Sequence, residues 1–322
     1  MRKIVGAILI LILIINLGCV SKPEENITMR MGYLGGQAQP EVYALYNGYY
    51  DDEGLNISWV SFRGGSSVVE AIMAGELEGG VIGSTPSVIR AVSKDVPIKI
   101  LAVGELGTKE KPGDYLVVRK DSGIRSLEDL KGKTIAVHRL GTTLDLTLRI
   151  GLKQSGIDPA FDVTITQVKV SAMPQALLGG GVDAAFIFPM AYPQLEGEVD
   201  VILTPADVFP DGAPFGMVIF TEGFMAGHPD DVKKFVGAYL EGLKWAVENP
   251  GRASEIAAED IGVSKEETEK MPWPAFNPSG KVADESFALM IEAIKEYDPE
   301  SLGKEVTVED FVDYQFIPAE VE

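Results

Sequence analysis

The chain has 322 residues, room for two lobes of roughly 100–200 residues each, and its 46% hydrophobic content excludes a disordered polypeptide. Its 28 Lys and Arg stand against 48 Asp and Glu, a formal net charge of −20, and so acidic a surface excludes the basic footprint of nucleic-acid binding. One cysteine and two histidines exclude an internal disulfide, a thiol redox pair and a Cys/His metal site, so no metal or cofactor is expected.

The first residues read separately from the rest. Arg2 and Lys3 precede the apolar run "IVGAILILILIINLGC", which is shorter than the roughly 20 residues a membrane span needs and fits an export signal over 1–19. Cys19 follows Gly18, the position at which bacterial and archaeal lipoproteins carry their lipid-bearing cysteine, although Asn16 stands where leucine is usual. Residues 20–26, containing "SKPEEN", read as a tether, and the folded domain is expected from Ile27. The expected location is outside the cell, anchored through Cys19 to the outer face of the cytoplasmic membrane.

From Ile27 short apolar runs alternate with helical ones, the rhythm of an α/β fold with mostly parallel sheets covered by helices. Strand 27–35 leaves at a glycine turn. A helix over 40–54 starts at Pro40 and ends before Gly54, and strand 55–62 alternates. A helix from Ser66 to Ala74, strand 79–83, a helix from Pro86 to Ser93 and strand 98–106 follow.

Near Gly113 the composition changes and the same units begin again. Strand 114–124 leads to a short helix capped by Ser126 with Asp129, then the strand "KTIAVHR" and a longer helix opened by Gly141-Thr142-Thr143. Strand 162–170, helix 172–180 and strand 183–188 complete a second lobe. The segment 214–225 reads as the return to the first.

A long helix over 229–249 carries Val232, Phe235, Val236, Tyr239, Leu240 and Leu243 on one face, a core stripe. Helices at 265–270, capped by Ser264 with Glu267, and at 284–296 end the chain. The expected domains are therefore lobe 1 over 27–113 plus 215–322 and lobe 2 over 114–214. Crossings near 113–119 and 211–218 would hinge the two about a cleft.

Catalytic signatures are missing. There is no G-x-S-x-G elbow, phosphate-binding G-x-x-x-x-G-K-S/T or H-E-x-x-H. His228 before Pro229 reads as a cap, and His138 beside Arg139 as a packing or rim residue. What recurs is a helix opened by small hydroxyl residues after a strand: Gly65-Ser66-Ser67, Ser84-Thr85-Pro86 and Gly141-Thr142-Thr143. In open α/β sheets ligands sit beyond the carboxyl ends of the strands. There the first N–H groups of a helix lack partners and the dipole adds about half a positive charge, which suits an anion. Ser and Thr are also ordinary N-caps, so the signal lies in three openings at matching positions. Tyr33, Gln37 and Phe188 fall in the same crevice and would clamp the organic part of a ligand; Phe188 also reads as packing between the lobes.

The text from "GYLGGQAQPEVYALYNGYYDDEG" through "SFRGGSSVVEAIMAGELEGGVIGSTPSVIRA" resembles a known family. So do "LVVRKDSGIRSLEDLKGKTIAVHRLGTTLDLTLRIGLKQSGID" and "SAMPQALLGGGVDAAFIFPMAYPQ". The chain is similar to substrate-binding lipoproteins of ABC importers in the alkanesulfonate, taurine, nitrate and thiamine-precursor (NMT1/THI5-like) group. The resemblance implies a two-lobed fold of the type 2 periplasmic-binding-protein kind. It implies a monomer that captures a small anionic or polar solute by hinge closure and delivers it to a permease and its ATPase, without enzymatic turnover. In sulfonate-binding members the turns matching the three openings contact the anionic head.

The chain departs from the group at Phe188-Pro189-Met190, where an acidic residue or Trp is common, and Arg63 and Arg139 are its candidate cations at the rim. A neutral heterocycle such as a thiamine pyrimidine precursor is the alternative cargo, for which stacking on Tyr33 and Phe188 would outweigh the hydroxyls. Two further readings are an enzyme on this scaffold, which would need clustered histidines and a lysine for pyridoxal phosphate, and a ligand-sensing lipoprotein.

Overall fold

The computed structural model describes residues 27–35, 40–209 and 212–319. The signal segment, the tether, Cys19 and Gln37 lie outside the described residues.

The chain opens with β1 (Thr28–Tyr33), α1 (Glu41–Tyr46), α2 (Tyr49–Asp52), β2 (Asn56–Ser61), α3 (Gly65–Met73), β3 (Gly79–Ile82), α4 (Thr85–Ser93) and β4 (Ile98–Gly107). It passes to β5 (Tyr115–Arg119), β6 (Thr134–Val137), α5 (Thr143–Gln154), β7 (Thr164–Gln167), α6 (Met173–Leu178), β8 (Ala184–Ile187), β9 (Val199–Leu203) and α7 (Pro205–Val208). It returns through β10 (Ala213–Thr221) to α8 (Glu222–Gly227), α9 (Pro229–Glu248), α10 (Pro250–Ile261), α11 (Lys265–Glu269), β11 (Ala275–Phe276) and α12 (Asp284–Tyr297).

The strands form two sheets, ordered β11-β4-β10-β3-β1-β2 and β7-β6-β8-β5-β9. In the first, β1 lies parallel between β2 and β3, and β10 runs antiparallel between β3 and β4. In the second, β6 lies parallel between β7 and β8, and β5 runs antiparallel to β8 and β9. Apart from the edge strand β11, antiparallel to β4, each sheet thus receives, among strands of common direction, the strand that enters from the other lobe. That exchange makes the sheets mixed.

Close packing fixes where α3 begins. Gly80 on β3 has room for no side chain: a Cβ there would lie 2.6 Å from the Gly32 carbonyl oxygen and 2.8 Å from Val68 Cγ1. Helix α3 therefore rides directly on β1 and β3. On the opposite face of that sheet, Val232, Phe235, Val236, Tyr239, Leu240 and Leu243 of α9 are all buried as the stripe predicts. Tyr50 stacks on Phe235 with ring centroids 4.9 Å apart, and the Tyr239 hydroxyl donates to the Gly216 carbonyl at 2.5 Å. Helix α12 packs against both α4 and α5, so the C-terminal part of the chain spans the flank of the two lobes.

The helix expected over 40–54 is two short helices, broken at Gly48, whose φ of 75° lies in the left-handed region. The strand expected over 114–124 ends at Arg119, where Lys120 bonds to the Glu198 carbonyl and a turn follows. The capping boxes at Ser126/Asp129 and Ser264/Glu267 both form, the first on a 3₁₀ turn. Strands β9 and β11 and helices α7, α8 and α10 are additions to the sequence reading. The expected hinge strands 113–119 and 211–218 are largely built into the sheets, and the links between sheets are the segments before β5 and before β10.

Candidate functional site

On the first sheet, α3 opens at Gly64, an extended N-cap with no capping side chain, so no side chain bonds the first N–H groups of the helix. A Cβ on Gly65 would sit 3.3 Å from Ser84 Cβ, so the openings of α3 and α4 stand side by side. Ser67 has no side-chain partner among the described residues. The Ser84 hydroxyl lies 2.9 Å from that of Ser87, and Thr85 is fully buried with its hydroxyl donating to Met217 Sδ at 3.1 Å. Thr85 therefore anchors α4 to the return strand β10.

On the second sheet, Gly141 has a φ of +73° and is committed on both sides. Its N–H donates to Asp145 Oδ2 at 2.7 Å, and its carbonyl accepts from Arg90 Nη1 at 2.6 Å. The Thr142 hydroxyl donates to the Arg139 carbonyl at 2.9 Å. Thr143 is different. It is 3% exposed, stands in the first turn of α5, and its hydroxyl has no hydrogen-bond partner. A buried hydroxyl without a partner is costly, and a ligand oxygen at that point would relieve it.

Arg139 joins the two lobes. Its Nη1 donates to Ser66 Oγ at 2.5 Å across the cleft, and no carboxylate pairs with it among the described residues. This brings the start of α5 against the start of α3, which adjoins that of α4, while the Arg90–Gly141 bond ties the last turn of α4 to the start of α5. The segments 65–67, 84–86 and 139–143 thus lie near one another. The guanidinium and the helix ends make that place electropositive in a chain of net charge −20.

Two aromatic groups flank it. Phe188 meets His138 edge to face, centroids 5.0 Å apart at 77°. His138 Nδ1 is buried without a partner, and burial, with Arg139 next to it, pushes the imidazole down to about 4, so it is neutral at physiological pH. Tyr33 packs edge-on to Trp59 at 5.8 Å. Sequence reasoning reads His138 as a packing or rim residue and misses Arg90, whose trace is a lone arginine inside the apolar helix text "TPSVIRAVS".

Behind the cleft, around the link to the second lobe, lie buried acids. Burial, with Asp114 nearby, pushes the Glu105 carboxyl up to about 8, and burial alone pushes Asp114 up to about 7. Burial also raises Glu41, at the start of α1, well above the carboxylate range. Among the described residues no group of three His, Cys, Asp or Glu is placed to hold a metal ion.

The chain is 29% identical over 240 residues to the taurine-binding periplasmic protein of Escherichia coli K12, covering 74% of this chain and 72% of that one. Its fold is similar to that of the periplasmic aliphatic sulphonate binding protein SsuA from Escherichia coli, with a TM-score of 0.74 at 20% identity, covering 90% and 92% of the two chains. It is also similar to the alkanesulfonate-binding protein SsuA from Xanthomonas axonopodis pv. citri, solved bound to MOPS, with a TM-score of 0.70 at 20% identity over 89% and 98%. Residues 36–253, more than half of the chain, match the family described as NMT1/THI5 like, and the chain belongs to that family.

Proposed function

We propose that the chain is the extracytoplasmic solute-binding component of an ABC importer. It closes two lobes on a small anionic organic solute, sulfonate- or nitrate-like, and hands it to a permease driven by an ATPase. The observation that carries this reading is Arg139, a guanidinium without a carboxylate partner that reaches across the cleft to Ser66. The unpartnered Thr143 hydroxyl is the second donor for the same anion.

Ser66, Ser67, Ser84 and the N–H groups of Gly65, Thr142 and Thr143 complete the polar wall, with Tyr33, Gln37 and Phe188 against the organic part. Gly141 and Thr85 support that wall, since their polar atoms are engaged elsewhere. Residues 27–113 with 215–322 act as one rigid lobe and 114–214 as the other. The division fits a second sheet that lies wholly within 115–203. Binding energy closes the lobes and no bond is broken, so the protein is a carrier and not an enzyme. Cys19 carries the lipid that holds the exported monomer at the membrane, and the permease and ATPase are its partners. The taurine-binding and sulfonate-binding relatives favour a sulfonate over the other anions.

A thermal-shift screen of the chain against taurine, short alkanesulfonates, nitrate and neutral pyrimidines tests the reading. A true ligand at 100 times its Kd adds about 2.7 kcal/mol to the stability of the folded state. Stabilisation by sulfonates and none by pyrimidines is expected; stabilisation by pyrimidines alone overturns the anionic assignment.

A further inference from the structure

Arg90 belongs to α4, on the first lobe, yet its guanidinium holds two separate pieces of chain at three points. Nε donates to Ser301 Oγ at 2.9 Å, Nη2 to Asp298 Oδ2 at 2.9 Å and Nη1 to the Gly141 carbonyl at 2.6 Å. The first two partners lie in the segment after α12, and that segment is fastened to the first lobe. The Gly303 N–H donates to Ser93 Oγ at 3.2 Å, and Lys304 Nζ lies 2.6 Å from Asp95 Oδ1. Asp298 and Ser301 therefore orient Arg90 from its own side, and the remaining donor points at the second lobe.

We infer that Arg90 is a preset latch, aimed by Asp298 and Ser301, that fixes the anion-reading turn of the second lobe in its ligand-binding position through the Gly141 carbonyl. It is a positioning residue. Its target is the backbone oxygen of the residue before Thr142 and Thr143, so a solute need not touch it.

Gly141 is suited to receive it. A Cβ there would lie 2.9 Å from Arg90 Nη2, and the φ of +73° already disfavours a side chain. With its carbonyl held by Arg90 and its N–H by Asp145 Oδ2 at 2.7 Å, the turn cannot rotate its first peptide groups without breaking a bond to a charged partner. The side chain of Arg90 is only 18% exposed, so these bonds work with limited screening by water. If the lobes part along the division proposed above, the Arg90–Gly141 bond breaks, while Asp298 and Ser301, in the segment tied to Ser93 and Asp95, stay with Arg90. The same guanidinium is thus ready to re-form the contact on each closure. The Lys153–Glu296 pair on the same flank is largely exposed at both ends, which makes it a weak tie by comparison.

The inference rests on the solute-binding reading, but its test does not need a ligand. In the full chain with Cys19→Ser, spin labels at Glu70→Cys and Gln175→Cys, both exposed and one on each lobe, report the lobe separation. Without ligand, Arg90→Gln is expected to raise the long-distance population about tenfold, the equivalent of one hydrogen bond to a charged donor. Asp298→Asn, which removes the aiming charge and leaves Arg90, gives a smaller shift in the same direction, and Lys153→Ala gives none.

With taurine as probe, Arg90→Gln accelerates dissociation about tenfold and leaves association within twofold, as expected for a contact that forms on closure. A purely structural role would lower the melting temperature without changing the distances. Distance distributions of Arg90→Gln and Asp298→Asn that match the wild type overturn the latch, and so does a Lys153→Ala shift as large as that of Arg90→Gln. If the distances change as stated while no sulfonate binds, the latch stands and the sulfonate assignment falls.

Discussion

Replacing Arg139 by glutamine removes a full positive charge from the cleft while keeping a polar side chain of similar reach. A guanidinium and an anion about 4 Å apart attract by roughly 4 kcal/mol at the effective dielectric of a protein surface. Against this stand desolvation of an exposed side chain and the bond to Ser66, about 1 kcal/mol, which the anion must displace or share. A net loss of about 1.5–3 kcal/mol remains, a fall in affinity of roughly 10- to 100-fold. Titration calorimetry with taurine and with methanesulfonate reads it directly. The wild type should weaken as salt rises, and Arg139→Gln should weaken less, because the screened charge is gone. An affinity within twofold of wild type, with unchanged salt dependence, refutes the idea that this cation reads the solute.

Other predictions follow from single groups. Thr143→Val keeps the shape of the side chain and deletes a buried hydroxyl that has no partner. Sulfonate affinity should fall about tenfold while the unliganded chain gains on the order of 1 kcal/mol in denaturant unfolding; a loss of stability would mean the hydroxyl is already satisfied. Glu105 at about 8 and Asp114 at about 7 keep protons in the folded chain that the unfolded chain has released, since carboxylates are ordinarily near 4. Their contribution is therefore full below about pH 4 and is lost as pH rises through 7–8, at a slope of roughly 1 kcal/mol per pH unit for each group. His138, held down to about 4, acts oppositely, and only as pH falls below its ordinary value near 6.5. The melting temperature should thus drop between pH 6.5 and 8.5, and Glu105→Gln should flatten that slope. A flat wild-type profile contradicts the buried carboxyls.

Much of this architecture is written locally. The strand–helix alternation, the α9 stripe and the Ser264/Glu267 cap depend on residues a few positions apart, and periodicity or capping chemistry exposes them. Strand β9, "VDVIL", is short, and its partner is β5, some eighty residues earlier, so nothing nearby marks it. Helix α10 begins Pro-Gly and is rich in alanine, which weakens its apolar period.

The site divides in the same way. That three hydroxyl-bearing turns face one cleft follows from their places after strands. Which hydroxyl stays free does not. Thr142 is bound by a carbonyl three residues back, Thr85 by Met217, and Thr143 by nothing, and only the assembled core decides this. Arg90 lay beyond sequence reasoning because its partners are 51 to 211 positions away.

The most direct measurement is the position of a bound anion. Crystals of the chain with 2-bromoethanesulfonate, located by the anomalous signal of bromine, should place the sulfonate among the starts of α3, α4 and α5, within hydrogen-bond distance of Thr143 Oγ1 and Arg139. The bromine should point toward Phe188. A bromine peak elsewhere on the molecule, with those helix starts filled only by water, would contradict the account.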